Sequence, residues 1–151
     1  MRIVLQRVSR ASVRVQGETI QEIGGGLVLL VGAGKDDREG EVDRLAEKIA
    51  GLRIFEDGDG KMNLALGDAG GEVLLIPNFT LYGDVRRGRR PSWDSAAAPD
   101  VAFERVEALA SALEERGVPV RRGAFREHME VELLNDGPVT LVLDGSELVR
   151  S

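Results

Sequence analysis

Cysteine is missing from this 151-residue chain, so disulfides, thiolate metal sites and cysteine nucleophiles are all excluded. Imidazole is nearly missing as well. With the single histidine His128, a zinc site built from several histidines is ruled out, and a Ser-His-Asp triad has one candidate base and no motif around it. On its own, His128 reads as a surface polar residue beside Met129. Long apolar runs are also absent. The longest, residues 27–31, falls far short of the roughly 20 residues needed to cross a bilayer. Only three apolar residues separate Arg2 from Gln6, too few for the apolar stretch of a signal peptide. These absences predict a soluble, cytoplasmic chain with no membrane partner and no metal.

Positive charge is in deficit. Twenty Lys and Arg against 26 Asp and Glu give a formal charge of -6, which argues against a protein that coats nucleic acid, since such binding comes from neutralising phosphates. Any RNA contact is expected to be local. Three arginine clusters exist: Arg2, Arg7, Arg10 and Arg14; Arg86, Arg87, Arg89 and Arg90; and Arg116, Arg121, Arg122 and Arg126. Each reads first as solvated surface charge. The cluster at 86–90 is the candidate for phosphate contacts.

With 42% apolar residues, a chain of this length can bury one substantial core, and residues 1–151 are expected to form one domain. Residues 2–31 are rich in Val, Ile and Leu. Gly17-Glu18 and Gly24-Gly25-Gly26 mark expected reversals between three or four antiparallel strands. Val42, Leu45, Ala46, Ile49 and Leu52 recur at helical spacing with charges on the opposite face, which predicts a helix over 41–52. A second helix starts at Pro99-Asp100, carries Ala102, Val106, Leu109 and Leu113 as its stripe, and stops at Gly117 and Pro119. Val73-Leu74-Leu75-Ile76 suits a strand buried on both faces. Residues 129–134 and 139–143 read as two strands joined by a turn at Asn135-Asp136-Gly137-Pro138. The expected fold class is α+β, mostly antiparallel sheet with two main helices.

Two familiar patterns fail. Gly32-Ala33-Gly34-Lys35 lacks the spacing of a P-loop and the Ser or Thr after the lysine, so it reads as a strand-end turn. Asp57-Gly58-Asp59-Gly60 lacks the third ligand and closing glutamate of a calcium loop and reads as a hairpin turn.

Six blocks hold together. Gln6-Arg7-Val8-Ser9-Arg10-Ala11-Ser12-Val13, Leu52-Arg53-Ile54-Phe55-Glu56, Lys61-Met62-Asn63, Phe79-Thr80-Leu81-Tyr82, Gly88-Arg89-Arg90-Pro91-Ser92 and Asn135-Asp136-Gly137-Pro138-Val139-Thr140 occur in this order over essentially the whole chain. Together they resemble the D-aminoacyl-tRNA deacylase family, hydrolases that release D-amino acids and glycine from tRNA. The resemblance implies a barrel-like sheet and a homodimer with active sites at the subunit interface. It places Asn78, Phe79 and Thr80 in the catalytic segment, and Gly137, Pro138, Met129 and Arg7 at the substrate. In the family the Gly-Pro bond is cis, and its carbonyls, supplied by the partner subunit, exclude the side chain of an L-amino acid. Glycine escapes such a steric filter because it has no side chain.

The implied substrate also explains the sparse catalytic inventory. An aminoacyl ester sits beside a ribose 2′-hydroxyl that helps activate water, which leaves the protein to orient the ester and donate hydrogen bonds to the developing oxyanion. Thr80 is the one hydroxyl of its block. No base stands near it in sequence, so it reads as an orienting residue, with an ordinary strand threonine as the bland alternative. No cofactor is expected, and the partners are the 3′-terminal adenosine of an aminoacylated tRNA and a second copy of the chain.

Two segments depart from the family pattern. Pro77-Asn78 stands where Ser-Gln is usual, which removes a hydroxyl and a backbone donor and implies a weaker refusal of L-substrates. Phe125-Arg126-Glu127-His128-Met129 replaces a more usual Phe-Gly-Ala-Asp-Met. The competing reading from another class is a non-catalytic tRNA-binding or dimeric interaction module on the same fold.

Overall fold

The computed structural model describes residues 1–149. Its organising element is a long first strand, β1 (Arg2–Val15). Gln16 and Gly17, both with positive φ (52° and 79°), turn the chain tightly into β2 (Glu18–Ile23), as a two-residue hairpin requires. The chain then passes Gly24 and Gly25 into β3 (Gly26–Gly32).

The expected reversal at Gly24-Gly25-Gly26 is not one. Ala11 pairs with Ile23 and Val8 with Gly26, both antiparallel, so β2 and β3 are two lengths of one path running along the same edge of β1. The glycines serve a close approach instead. A Cβ on Gly26 would stand 1.9 Å from the carbonyl oxygen of Glu72, where β6 (Glu72–Pro77) begins to pair with β3.

The opposite edge of β1 carries β8 (Glu130–Asp144) from end to end. The expected pair of strands at 129–134 and 139–143 is thus corrected to one strand. Both halves run antiparallel to β1, so no hairpin separates them. On β1, Arg7 alone lies between Gln6, which pairs with Thr140, and Val8, which pairs with Asn135. On β8 the four residues 136–139 occupy that interval, and they bow out of the ladder as a wide bulge.

Antiparallel pairing holds for β1 with its neighbours and for the small hairpin of β4 (Phe55–Glu56) and β5 (Met62–Leu64). In contrast, β6 pairs parallel with both β3 and β7 (Val120–Arg122). Parallel neighbours need long crossovers. Here these contain α1 (Glu41–Gly51) and α2 (Pro99–Glu115). The sheet runs β2-β1-β3-β6-β7 with β8 on β1, and it curls so that β2 comes close to β6 and β7 in a barrel-like form.

Both helices form where their spacing predicts, and their apolar stripes meet each other and one face of the sheet. Leu45, Ala46 and Ile49 of α1 and Val106, Leu109 and Leu113 of α2 pack with Ile3, Leu5, Leu29 and Leu75. Pro99 opens α2 where its missing N–H costs nothing, and Arg116 closes it by donating to the carbonyl of Ala112 at 2.9 Å. The other face buries Val8, Ala11, Val13, Val28, Leu74 and Ile76, with Met129 packed against them. Glu41 is buried at the start of α1, where its carboxylate accepts the N–H of Arg38 at 2.7 Å and faces the amino group of Met1. No helix among the described residues is long and apolar enough to cross a membrane.

Candidate active site

The parallel strands β3 and β6 end side by side, with Val31 opposite Pro77. A crevice outside the carboxyl ends of neighbouring parallel strands is where an α/β sheet offers room for a ligand. Here it is a cavity of about 930 Å3. Leu30, Val31, Ile76 and Pro77 form its floor, Asn78 and Phe79 one wall, Ala102 and Val106 of α2 another, and residues 125–129 the far side. The lining is largely apolar, with Asn78, Arg126, Glu127 and His128 as its polar members.

Pro77 stops β6 where an interior proline would break the ladder, and the N–H of Asn78 makes the last bond, to Val31 O at 2.7 Å. The chain then turns into a short 3₁₀ helix, Phe79–Tyr82. Asn78 caps it. Its side-chain oxygen accepts the N–H of Thr80 at 3.2 Å and also the Thr80 hydroxyl. Thr80 is therefore helical rather than a strand residue, and its hydroxyl is bound to an amide oxygen, not to a base. The Phe79 N–H, one of the orphan donors of a helix start, has no partner among the described residues. The Asn78 NH2 group remains available to donate.

The far end of this helix is clamped. The Tyr82 ring occupies the space a Cβ on Gly34 would need, its hydroxyl donates to Asp37 at 3.2 Å, and the Arg2 guanidinium lies 4.5 Å from the ring centroid. Burial, followed by the charge of Asp37, pushes the Tyr82 phenol far above its usual range and keeps it neutral. At the near end, the exposed Phe79 ring meets Trp93 edge to face, 5.3 Å between centroids.

The remaining predicted residues form a second cluster at the bow of β8. Arg7 is only 5% exposed. Its Nε donates to Asp136 O at 3.0 Å and its Nη1 to Ile54 O at 2.6 Å. Asn135 ties the neck of the bow, its Oδ1 accepting the N–H of Val139 at 2.9 Å and its amide nitrogen donating to the Thr140 hydroxyl at 3.0 Å. Between these ties lie Gly137 and Pro138, joined by a cis peptide bond and exposed. Gly137 has φ +141°, and a Cβ there would meet Val139 at 2.7 Å, so the position calls for glycine.

Asn78, Phe79 and Met129 thus line one cavity, with Thr80 bound to Asn78 at its edge. Arg7, Gly137 and Pro138 do not line it. Sequence reasoning missed Trp93, Phe125 and the α2 wall, because no spacing rule links an aromatic 14 positions after Phe79 to the same cavity. His128 is exposed, as expected, and it also lines the far side of the cavity.

Comparison with known proteins supplies the remaining evidence. A family model described as D-Tyr-tRNA(Tyr) deacylase matches residues 4–144. The D-aminoacyl-tRNA deacylase of Thermotoga petrophila is 54% identical over 148 residues, covering 98% of this chain and 99% of that protein. The D-aminoacyl-tRNA deacylase of Heliobacterium modesticaldum is 54% identical over 145 residues, covering 96% and 97%. Among solved structures, the c-Myc DNA Unwinding Element Binding Protein superposes with a TM-score of 0.89 at 36% identity, covering 95% of this chain and 98% of that one.

Proposed function

The chain belongs to the D-Tyr-tRNA(Tyr) deacylase family, a family of hydrolases, and from that premise we propose how it cleaves D-aminoacyl-tRNA and refuses the L-form. The ester joining the amino acid to the terminal ribose lies in the cavity of about 930 Å3, its carbonyl oxygen toward the N–H of Phe79 and the side-chain amide of Asn78. Water, assisted by the neighbouring ribose 2′-hydroxyl, adds to the ester carbon. Negative charge gathers on the carbonyl oxygen, which these donors stabilise. Collapse breaks the bond to the ribose oxygen, which takes a proton, and releases free D-amino acid and tRNA. Thr80 sets the orientation of Asn78 through the bonds between them and does not attack.

Chirality is read by Gly137 and Pro138 of a second protomer. Both are exposed and lie away from their own cavity, so a homodimer in which each bow enters the partner's cavity completes two sites. Rigid backbone then fills the space an L side chain needs, while glycine passes, which extends the activity to glycine mischarged on tRNA(Ala). Charged tRNA places this proofreading in the cytoplasm.

The observation that carries the reading is the free Phe79 N–H beside the Asn78 amide on the wall of an apolar cavity. Purified protein is expected to deacylate D-tyrosyl-tRNA and glycyl-tRNA(Ala) with chelator present, and to cleave L-tyrosyl-tRNA more slowly, by a margin that Pro77-Asn78 narrows. Binding of tRNA without release of any amino acid overturns the proposal in favour of an interaction module. Equal cleavage of both hands removes the filter.

A further inference from the structure

Between the 3₁₀ helix and α2 the chain forms an exposed hairpin that the reaction leaves without a role. Asp84 and Ser92 exchange both backbone hydrogen bonds, at 2.8 and 2.9 Å, and Gly88 turns the tip with φ +64°. Residues 85–91 are all exposed. Four arginines lie in this loop, and they are not equivalent. Arg86 is committed to Asp84. Its Nε and Nη2 donate to the carboxylate at 2.9 and 2.7 Å, and its backbone N–H donates to the same group at 3.0 Å. Arg87, Arg89 and Arg90 make no hydrogen bond or ion pair among the described residues.

The root of the hairpin is the cavity wall itself. Trp93 directly follows Ser92, lines the cavity and meets Phe79. It also packs on Gly83, where a Cβ would come within 2.8 Å of its ring. RNA that reaches the cavity on its Trp93 side runs beside a loop carrying three unpaired guanidinium groups, on a protein whose overall charge is -6. Guanidinium forks match phosphate oxygens in pairs, and local positive charge on an acidic protein favours a phosphodiester at that place without favouring it elsewhere.

We infer that Arg87, Arg89 and Arg90 clamp the phosphates of the single-stranded end of the substrate RNA, while the Asp84–Arg86 pair acts as the latch that shapes the loop. This assignment rests on the proposed function, because it takes the acylated ribose to be what enters the cavity. A clamp on a single strand releases about 0.7 counterions per phosphate contact, so three contacts steepen the dependence of log K on log salt by about 2.

The test compares the full-length protein with the Arg87→Gln/Arg89→Gln/Arg90→Gln variant on two esters, D-tyrosyl-tRNA and D-tyrosyl-adenosine, which has no phosphate. The variant is expected to raise KM for the tRNA ester on the order of tenfold or more and to hydrolyse D-tyrosyl-adenosine at the unaltered rate. Anisotropy titrations of uncharged tRNA across salt concentrations should give a slope shallower by about 2, and by roughly 0.7 for each single Gln variant. An unchanged slope overturns the clamp, as does an equal loss on both esters, which would mean that the loop shapes the cavity. If the unaltered protein cleaves neither ester, the proposed reaction fails, and the salt slope still decides the clamp.

Discussion

Arg7 and Asp136 meet twice. The guanidinium Nε donates to the Asp136 carbonyl at 3.0 Å and stands 3.6 Å from its carboxylate, while Nη1 reaches across to Ile54. One buried fork therefore ties the bow of β8 to the loop after α1. Arg7 holds the bow from beneath and does not line the cavity of its own chain, and a positioning role at the proposed interface site follows from that placement.

Arg7→Lys keeps the charge and loses the fork. It is expected to cost roughly 1–3 kcal/mol in urea unfolding, because a buried carbonyl loses its donor. The ratio of D- to L-tyrosyl-tRNA cleavage should fall more than kcat on the D-substrate does. Unchanged stability together with unchanged selectivity would show that the bow holds its shape without Arg7.

Gly26 and Gly137 are expected to respond differently to alanine. At Gly26 the new Cβ would lie 1.9 Å from a backbone oxygen of β6, so Gly26→Ala should cost more than about 4 kcal/mol or prevent folding. At Gly137 the nearest neighbours belong to Val139 on an exposed bow. Gly137→Ala should cost about 1–3 kcal/mol and degrade D/L discrimination in a protein that still folds. Circular dichroism melts and paired deacylation assays separate the two outcomes.

Thr80→Val removes a hydroxyl bound to Asn78, which on the proposed reading does not attack the ester. Its kcat should fall by no more than about tenfold, the worth of one ordinary hydrogen bond. A loss of about 10⁴-fold or more, as when a true nucleophile is removed, would return Thr80 to the chemistry. Asn78→Ala loses both the cap and the donor, so it should be the more damaging of the two.

The Asp84 latch should hold deep into acid. Hydrogen bonds from Arg86 pull the Asp84 carboxyl down to about 2, below its value of about 3.9 in an unfolded chain. A carboxylate with a depressed folded pKa contributes its stability above the unfolded value and loses it as pH falls through the folded one. The loop should therefore loosen between about pH 4 and pH 2 and not before. An NMR titration should place the Asp84 midpoint near 2, and Arg86→Gln should return it toward 3.9.

The two helices were legible because their apolar stripes repeat at helical spacing and, for α2, because Pro99 and Gly117 mark its ends, all local signals. The cavity was legible only in part. Phe79 came from a family block and Asn78 and Met129 from segments that depart from the family pattern, while Trp93 and Phe125 reach the same space by tertiary folding that no short window encodes. The errors at Gly24-Gly25-Gly26 and Asn135-Asp136-Gly137-Pro138 share a cause. Turn chemistry marks where a chain departs from a regular ladder, but whether it then reverses or bows and continues depends on the partner strand. In both cases that partner is β1.

The pairing of β1 with β8 also bears on how the molecule is made. Ile3 finds its partner at Leu143. Contacts of such sequence separation are slow to form, because the intervening chain must be ordered before they repay its entropy. On a ribosome adding about 5–20 residues per second, one whole edge of β1 waits several seconds for β8 to emerge. A strand that emerges late thus covers one made early, and the bow that Arg7 supports is set only after β8 has emerged.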